Sequence, residues 1–203
     1  MAELPEAGSM AAIMFTDMVD LSRQIQSNEV LSRELREEHG RFIRGLLSGH
    51  GGREIKRLED GFLIEFDGAL PAVTCALELQ SALCARNECV PEERRLELRI
   101  GIHVGPVVHQ DGDIFGEGVN LAARLESLAR PGSLYVSESV VRQVEDKVAA
   151  PLVRLSRSDL KNIRLPVPVY RIDPPVRRRR RRGRSLLSRL REWLGAPLRL
   201  ARG

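Results

Sequence analysis

Residues 53–66 read REIKRLEDGFLIEF, and Asp60–Gly61 between two alternating segments is the signal of a two-stranded hairpin. Upstream, residues 11–17 (AAIMFTD) form an apolar run ending at an acid, which predicts a buried strand. Between the two, residues 28–48 place Val30, Leu31, Leu35, Phe42, Ile43, Leu46 and Leu47 near helical spacing, an amphipathic helix closed by Gly49 and Gly51–Gly52. Downstream, Gly68 to about Arg86 reads as a second helix and residues 96–109 (LELRIGIHVGPVVH) as a further strand pair. Residues 110–117 (QDGDIFGE) form a polar, Gly-rich loop before a helix from Gly118 to about Ala129, which Pro131–Gly132 stops. A short strand at 133–137, a short helix around 138–146 and strands near 150–155 and 167–172 follow. The order β-α-β-β-α-β plus a smaller α/β extension predicts an α+β fold, an antiparallel-rich sheet covered by helices.

The chain has 203 residues, 32 basic and 28 acidic, for a formal net charge of +4. That sum hides a split: beyond Pro174 stand eleven Arg (177–182, 184, 189, 191, 199 and 202) against Glu192, so this tail carries +10 and the rest 4 − 10 = −6. Only Lys56, Lys147 and Lys161 are lysines. The expected organisation is a lead over 1–10, one domain over 11–173, a Pro/Arg-rich linker over 174–184 and a basic amphipathic tail over 185–203. No apolar run approaches the roughly 18 residues of a membrane span. The first ten residues hold two Glu and no Lys or Arg, unlike a signal peptide. Three cysteines (Cys75, Cys84, Cys89) without metal-type spacing read as free thiols of a reducing cytosol. A secreted protein, a spanning protein and a disulfide scaffold are disfavoured, and a cytoplasmic location is expected.

In the tail, Leu186, Leu187, Leu190, Trp193, Leu194 and Leu198 share one helical stripe behind six consecutive Arg. The pattern fits an interfacial anchor on an anionic membrane, peripheral at the inner face, through residues 177–202. Packing on its own domain or on a partner is the competing reading. Nucleic acid is the weakest of the three, because no stacking aromatics accompany the Arg run.

Several side chains could carry chemistry. Asp17 ends a strand that a helix is expected to follow, where a carboxylate suits a metal and phosphates; alone it reads equally as a turn or cap Asp. Asp60 at the hairpin tip is open to the same two readings. Two carboxylates on adjacent strands could clamp two divalent ions for in-line phosphoryl chemistry. Lys56, in a chain that spends Arg almost everywhere, reads as a compact point donor or as a codon-bias remnant on a solvated strand face. Asn120 and Arg124, at i and i+4 on the third helix, share a face and could stabilise developing negative charge, or form a surface pair.

Read together, these positions resemble the catalytic domain of class III nucleotidyl cyclases, the adenylate and guanylate cyclase family. The resemblance covers roughly residues 11–172 and rests on MFTDMVD (14–20), IKRLEDGF (55–62), RIGIHVGPV (99–107), GDIFGEGVNLAARLES (112–127) and DLKNI (159–163). It implies a ferredoxin-like βαββαβ core and cyclisation of ATP to 3′,5′-cyclic AMP and pyrophosphate, in a bacterial-type homodimer with both sites at the interface. Asp17 and Asp60 match the metal-binding aspartates for two Mg²⁺ or Mn²⁺ ions. Lys56 and Asp113 match the adenine-selecting pair, Asn120 the ribose-orienting residue, Arg124 the transition-state cation and Lys161 the lysine on the terminal phosphates. An ammonium donating to adenine N1 and a carboxylate accepting from the exocyclic amine would leave groups unpaired against guanine, so ATP is favoured over GTP. Asp20 and Glu59 stand where the family commonly has glycine, and Asn162 where it commonly has another. An acid near the triphosphate opposes it, so the alternative is a weakly active or non-catalytic nucleotide-binding regulatory dimer of the same fold.

Overall fold

The computed structural model describes residues 9–19, 28–156, 159–160 and 165–174. Strand β1 (Ser9–Met18) leads to helix α1 (Glu29–His50), whose first turn is capped by Asn28 Oδ1 accepting from Leu31 N. The hairpin follows as β2 (Arg53–Arg57) and β3 (Gly61–Phe66), then α2 (Ala69–Asn87). After a 3₁₀ turn at Glu92–Arg94 come β4 (Leu98–Gln110), β5 (Asp113–Phe115) and α3 (Glu117–Leu128). The extension is β6 (Leu134–Ser137), α4 (Glu138–Val144), β7 (Leu152–Arg154) and β8 (Val169–Ile172).

Seven strands lie in the order β2-β3-β1-β4-β6-β8-β7, with β5 paired to β4. Among the described residues only β4 and β6 run parallel; the other pairings are antiparallel. The α+β expectation stands, with the extension continuing the same sheet.

The structure corrects the expectation of a strand pair over 96–109: residues 98–109 belong to one long strand, β4. Gly101 interrupts its apolar pattern for a different reason than a turn. A Cβ there would overlap the backbone N of Glu126 and the carbonyl of Ala122, so the glycine lets α3 lie directly on the strand. The reversal comes later, at Asp111–Gly112, both with positive φ (53° and 80°), the geometry of a two-residue hairpin turn. The stretch expected as a loop therefore contains β5.

The sheet has two unlike faces. On one, Ala12, Met14 and Met18 of β1 and Ile100, Ile102 and Val104 of β4 pack under α1 and α2 in the main core. Each fully buried side chain of this kind is worth about 1.5–3 kcal/mol. The other face carries Ile13, Leu63, Val107 and Ile114 in a smaller cluster beneath the β4–β5 hairpin, and α3 covers the rest of it. Asp17 of β1 and Arg99 of β4 lie on this second face, against Glu126 of α3. All three cysteines are free thiols, Cys75 buried and Cys84 and Cys89 exposed.

One buried group ties α1 to the strand end beneath the site. His39 meets Phe62 edge-on, centroids 5.0 Å apart, with Nε2 at 3.5 Å from Thr16 Oγ1. Burial first, and the charge of Arg57 second, push its pKa from the usual 6.5 down to about 3. The folded protein keeps His39 neutral, whereas the unfolded chain takes up the proton below the ordinary histidine value. The stability this gives is whole above about pH 6.5 and drains away as pH falls toward 3, at close to 1.4 kcal/mol per pH unit. Asp17 and Glu126, raised to about 6 and 7, titrate between pH 6.5 and 5 with the opposite sign, so the readout is a difference: wild-type unfolding free energy minus that of His39→Leu should fall over this range at close to that slope. An equally steep profile in the variant would contradict the assignment.

Candidate active site

The site starts where β1 ends. Asp17 is buried (7% exposed) and lies opposite Gly61 of β3 on one side and Arg99 of β4 on the other. Gly61 holds its place because a Cβ would overlap the Thr16 carbonyl. That close approach draws the preceding residue, Asp60, beside Asp17, and the Asp60 carbonyl accepts from Met18 N at 2.9 Å. The hairpin reversal is closed by Leu58 N donating to Gly61 O at 2.9 Å. Glu59, at the tip, is exposed.

Arg99 sits between two acids. Its Nε donates to Asp17 Oδ2 at 2.9 Å, and its Nη2 bonds the same oxygen. Its Nε is also 3.3 Å from Glu126 Oε1, an ion pair without hydrogen-bond geometry. Burial lifts the Asp17 carboxyl to about 6; the Arg99 hydrogen bond pulls it back and Asp60 pushes it further up. Glu126 is raised to about 7, again chiefly by burial and then by the charge of Asp17. Desolvated like charges crowded together are what a divalent cation neutralises. Among the described residues no group of three or more His, Cys, Asp or Glu forms a cage for a metal. A carboxylate pair instead suits Mg²⁺ or Mn²⁺ shared with the phosphates of a substrate. The residues present therefore fit such ions.

The second pair also meets. The β4–β5 hairpin leans over the sheet, and Lys56 Nζ donates to Asp113 Oδ2 at 2.6 Å across 57 positions of sequence. Asp113 Oδ1 accepts from Ile114 N at 2.9 Å. Lys56 first, and this N–H second, hold the Asp113 carboxyl below its usual value. Lys56 belongs to β2, just past the register shift between Glu54 and Lys56.

Asn120 and Arg124 occupy α3 and are exposed; among the described residues neither has a side-chain hydrogen-bond or ion-pair partner. The helix that carries them is seated on β4 at Gly101. The structure thus brings Asp17 to Asp60 and Lys56 to Asp113, and leaves Asn120 and Arg124 presented to solvent. Lys161, Asp20, Asn162 and the tail 177–202 lie outside the described residues. Arg99 and Glu126 were missed by sequence reasoning. Gly101 was the available signal, since an isolated glycine in an apolar strand marks a close backbone approach.

The family model of the adenylate and guanylate cyclase catalytic domain matches residues 5–170. The chain belongs to this cyclase family. Among curated relatives, "Putative adenylate cyclase 3" of Rhizobium meliloti is 37% identical over 171 residues, 84% of this chain and 29% of that protein. An adenylate cyclase of Streptomyces coelicolor is 35% identical over 136 residues, 66% of this chain and 34% of its own length. The cyclase chain therefore spans about a third of these relatives. Among solved structures, an adenylate/guanylate cyclase/hydrolase from Silicibacter pomeroyi superposes with a TM-score of 0.74 at 38% identity, covering 82% of this chain and 97% of that one. Among the described residues no helix is long and apolar enough to cross a membrane.

Proposed function

We propose that this cyclase converts ATP to 3′,5′-cyclic AMP and pyrophosphate at two sites shared across a homodimer. The observation that carries the reading is the Lys56–Asp113 pair: one donor and one acceptor held 2.6 Å apart, the complement of the adenine N1 and amino edge. Relatives named adenylate cyclase favour the same substrate.

In the reaction the ribose 3′-hydroxyl loses its proton as O3′ bonds the α-phosphorus, and the bond from that phosphorus to pyrophosphate breaks. Mg²⁺ or Mn²⁺ held by Asp17 and Asp60 would supply Lewis-acid stabilisation of the phosphate charge and favour the ionised hydroxyl. Asn120 orients the ribose, so that the hydroxyl meets the phosphorus in line. Arg124 offers its guanidinium to the charge that builds on the phosphate oxygens, and Lys161 holds the terminal phosphates. Lys56 and Asp113 fix the base.

The outward placement of two groups supports the division between copies. Arg124 and Asn120 are presented outward, without partners of their own among the described residues, as groups meant for a nucleotide bound on another copy would be. Lys56 and Asp113 likewise serve the nucleotide whose metals are held by the second chain. The alternative of a non-catalytic dimer rested on Asp20 and Glu59. Exposure of Glu59 at the hairpin tip favours the active reading, since a solvated acid repels phosphate little.

ATP and GTP offered separately test this. Wild-type protein should form cyclic AMP preferentially, and Lys56→Ala should lower kcat/KM for ATP by about 10² while changing GTP turnover little. Equal use of both nucleotides by the wild type would overturn the base-selection role. We further propose a cytoplasmic enzyme held at an anionic membrane surface by residues 177–202. Flotation with anionic but not neutral liposomes, lost at high salt, is the expected result; no flotation with either would refute it.

A further inference from the structure

We propose that Glu126 is a positioning residue: it is the acid to which Arg99 transfers when a divalent cation takes Asp17. The inference rests on the reading of Asp17 and Asp60 as the metal-binding pair.

Arg99 lies on β4 between side chains that are nearly closed to solvent, Asp17 at 10% and Glu126 at 12% exposed. Its two donors, Nε and Nη2, both fall on one oxygen, Asp17 Oδ2. A planar guanidinium ordinarily spreads its donors over two acceptors, so this arrangement leaves part of its bonding capacity unused. The complementary deficit sits beside it. Among the described residues Glu126 Oε1 is buried with no hydrogen-bond partner, 3.3 Å from Arg99 Nε, while its Oε2 accepts only from Ser127 Oγ at 3.4 Å. A buried carboxylate oxygen left without a donor calls for a second state in which it has one.

A metal ion on Asp17 provides that state. A divalent cation and a guanidinium cannot crowd one carboxylate oxygen without strong repulsion. Arg99 needs only to swing from Asp17 toward Glu126 to release the oxygen and satisfy the orphan acceptor. The receiving acid is fixed in place because the Glu126 backbone presses against Gly101, two residues along the strand from Arg99. In the metal-free protein, then, Arg99 stands in for the cation, and Glu126 makes its displacement easy.

Affinity for Mn²⁺ alone, followed through the signal of free Mn²⁺ in full-chain protein, tests the transfer without recourse to activity. Asp60→Asn should weaken Mn²⁺ binding more than tenfold; unchanged binding there overturns the metal reading, and the transfer with it. Glu126→Gln should weaken it about tenfold in the wild-type background, because Arg99 then has nowhere to go. Arg99→Gln should strengthen binding by removing the resident cation. In that background Glu126→Gln should cost less than about threefold, the mark of a residue acting through another. An equal cost in both backgrounds would make Glu126 a direct contributor to the metal and overturn the proposal, as would no cost in either. Should Glu126→Gln fail the circular-dichroism check of folding, Glu126→Asp carries the same cycle. It keeps the charge but draws the carboxylate back from Arg99, and a weakened affinity that depends on Arg99 is again expected.

Discussion

Asp17→Asn is expected to cut cyclic AMP formation by about 10³ or more while leaving the fold intact. Loss of a ligand to a Lewis-acidic ion forfeits several kcal/mol of transition-state stabilisation, and each 1.36 kcal/mol is tenfold in rate. The structural cost is small for a reason visible in the site: burial already opposes the charged form of Asp17, whose carboxyl is lifted to about 6. A neutral isostere therefore removes a strained charge rather than a stabilising one. Arg99 loses a partner but keeps Glu126 at 3.3 Å. An unfolding midpoint within a few degrees of wild type, together with lost activity, is the expected pair of results. A variant retaining more than a tenth of wild-type activity would show that Asp17 holds no catalytic ion.

The second large effect is that of Arg124→Ala, expected to lower kcat by about 10²–10³ with KM for ATP changed only slightly. The guanidinium is exposed and makes no ion pair among the described residues, so its removal leaves the protomer as stable as before. In the proposed role its contribution is called on only as charge gathers on the phosphate. A rise in KM with kcat unchanged would place Arg124 in ground-state binding instead.

What the sequence made legible was local. Alternation around Asp60–Gly61 revealed the hairpin, and the spacing of Leu35, Phe42, Ile43 and Leu47 revealed α1, because both patterns repeat within a few residues. The long strand β4 was misread as two since Gly101 and Gly105 look like punctuation; their role depends on a helix that arrives some twenty residues later. The candidate site divides in the same way. Asp17, Asp60, Lys56 and Asp113 stood out through motif spacing and the scarcity of lysine, and the structure joins them in two pairs. Arg99 was invisible among so many arginines, and its tie to Asp17 exists only through the β1–β4 register. Glu126 carried no signal of its own in the sequence and is largely enclosed because Gly101 admits α3 to the sheet.

The second face of the sheet thus carries Asp17 beside Asp60 and, apart from them, the Lys56–Asp113 ion pair, with Asn120 and Arg124 of α3 exposed. On the proposed function, a working site draws its metal pair from one chain and its base-reading and transition-state groups from another.

Mixing Asp17→Asn chains with Arg124→Ala chains tests this most directly. Each variant alone should be nearly inactive. In the mixture about half of the dimers are heterodimers, each with one intact site of two, so cyclic AMP formation should return to about a quarter of the wild-type rate per total protein. A mixture no more active than its two components, with subunit exchange verified, would contradict the shared site.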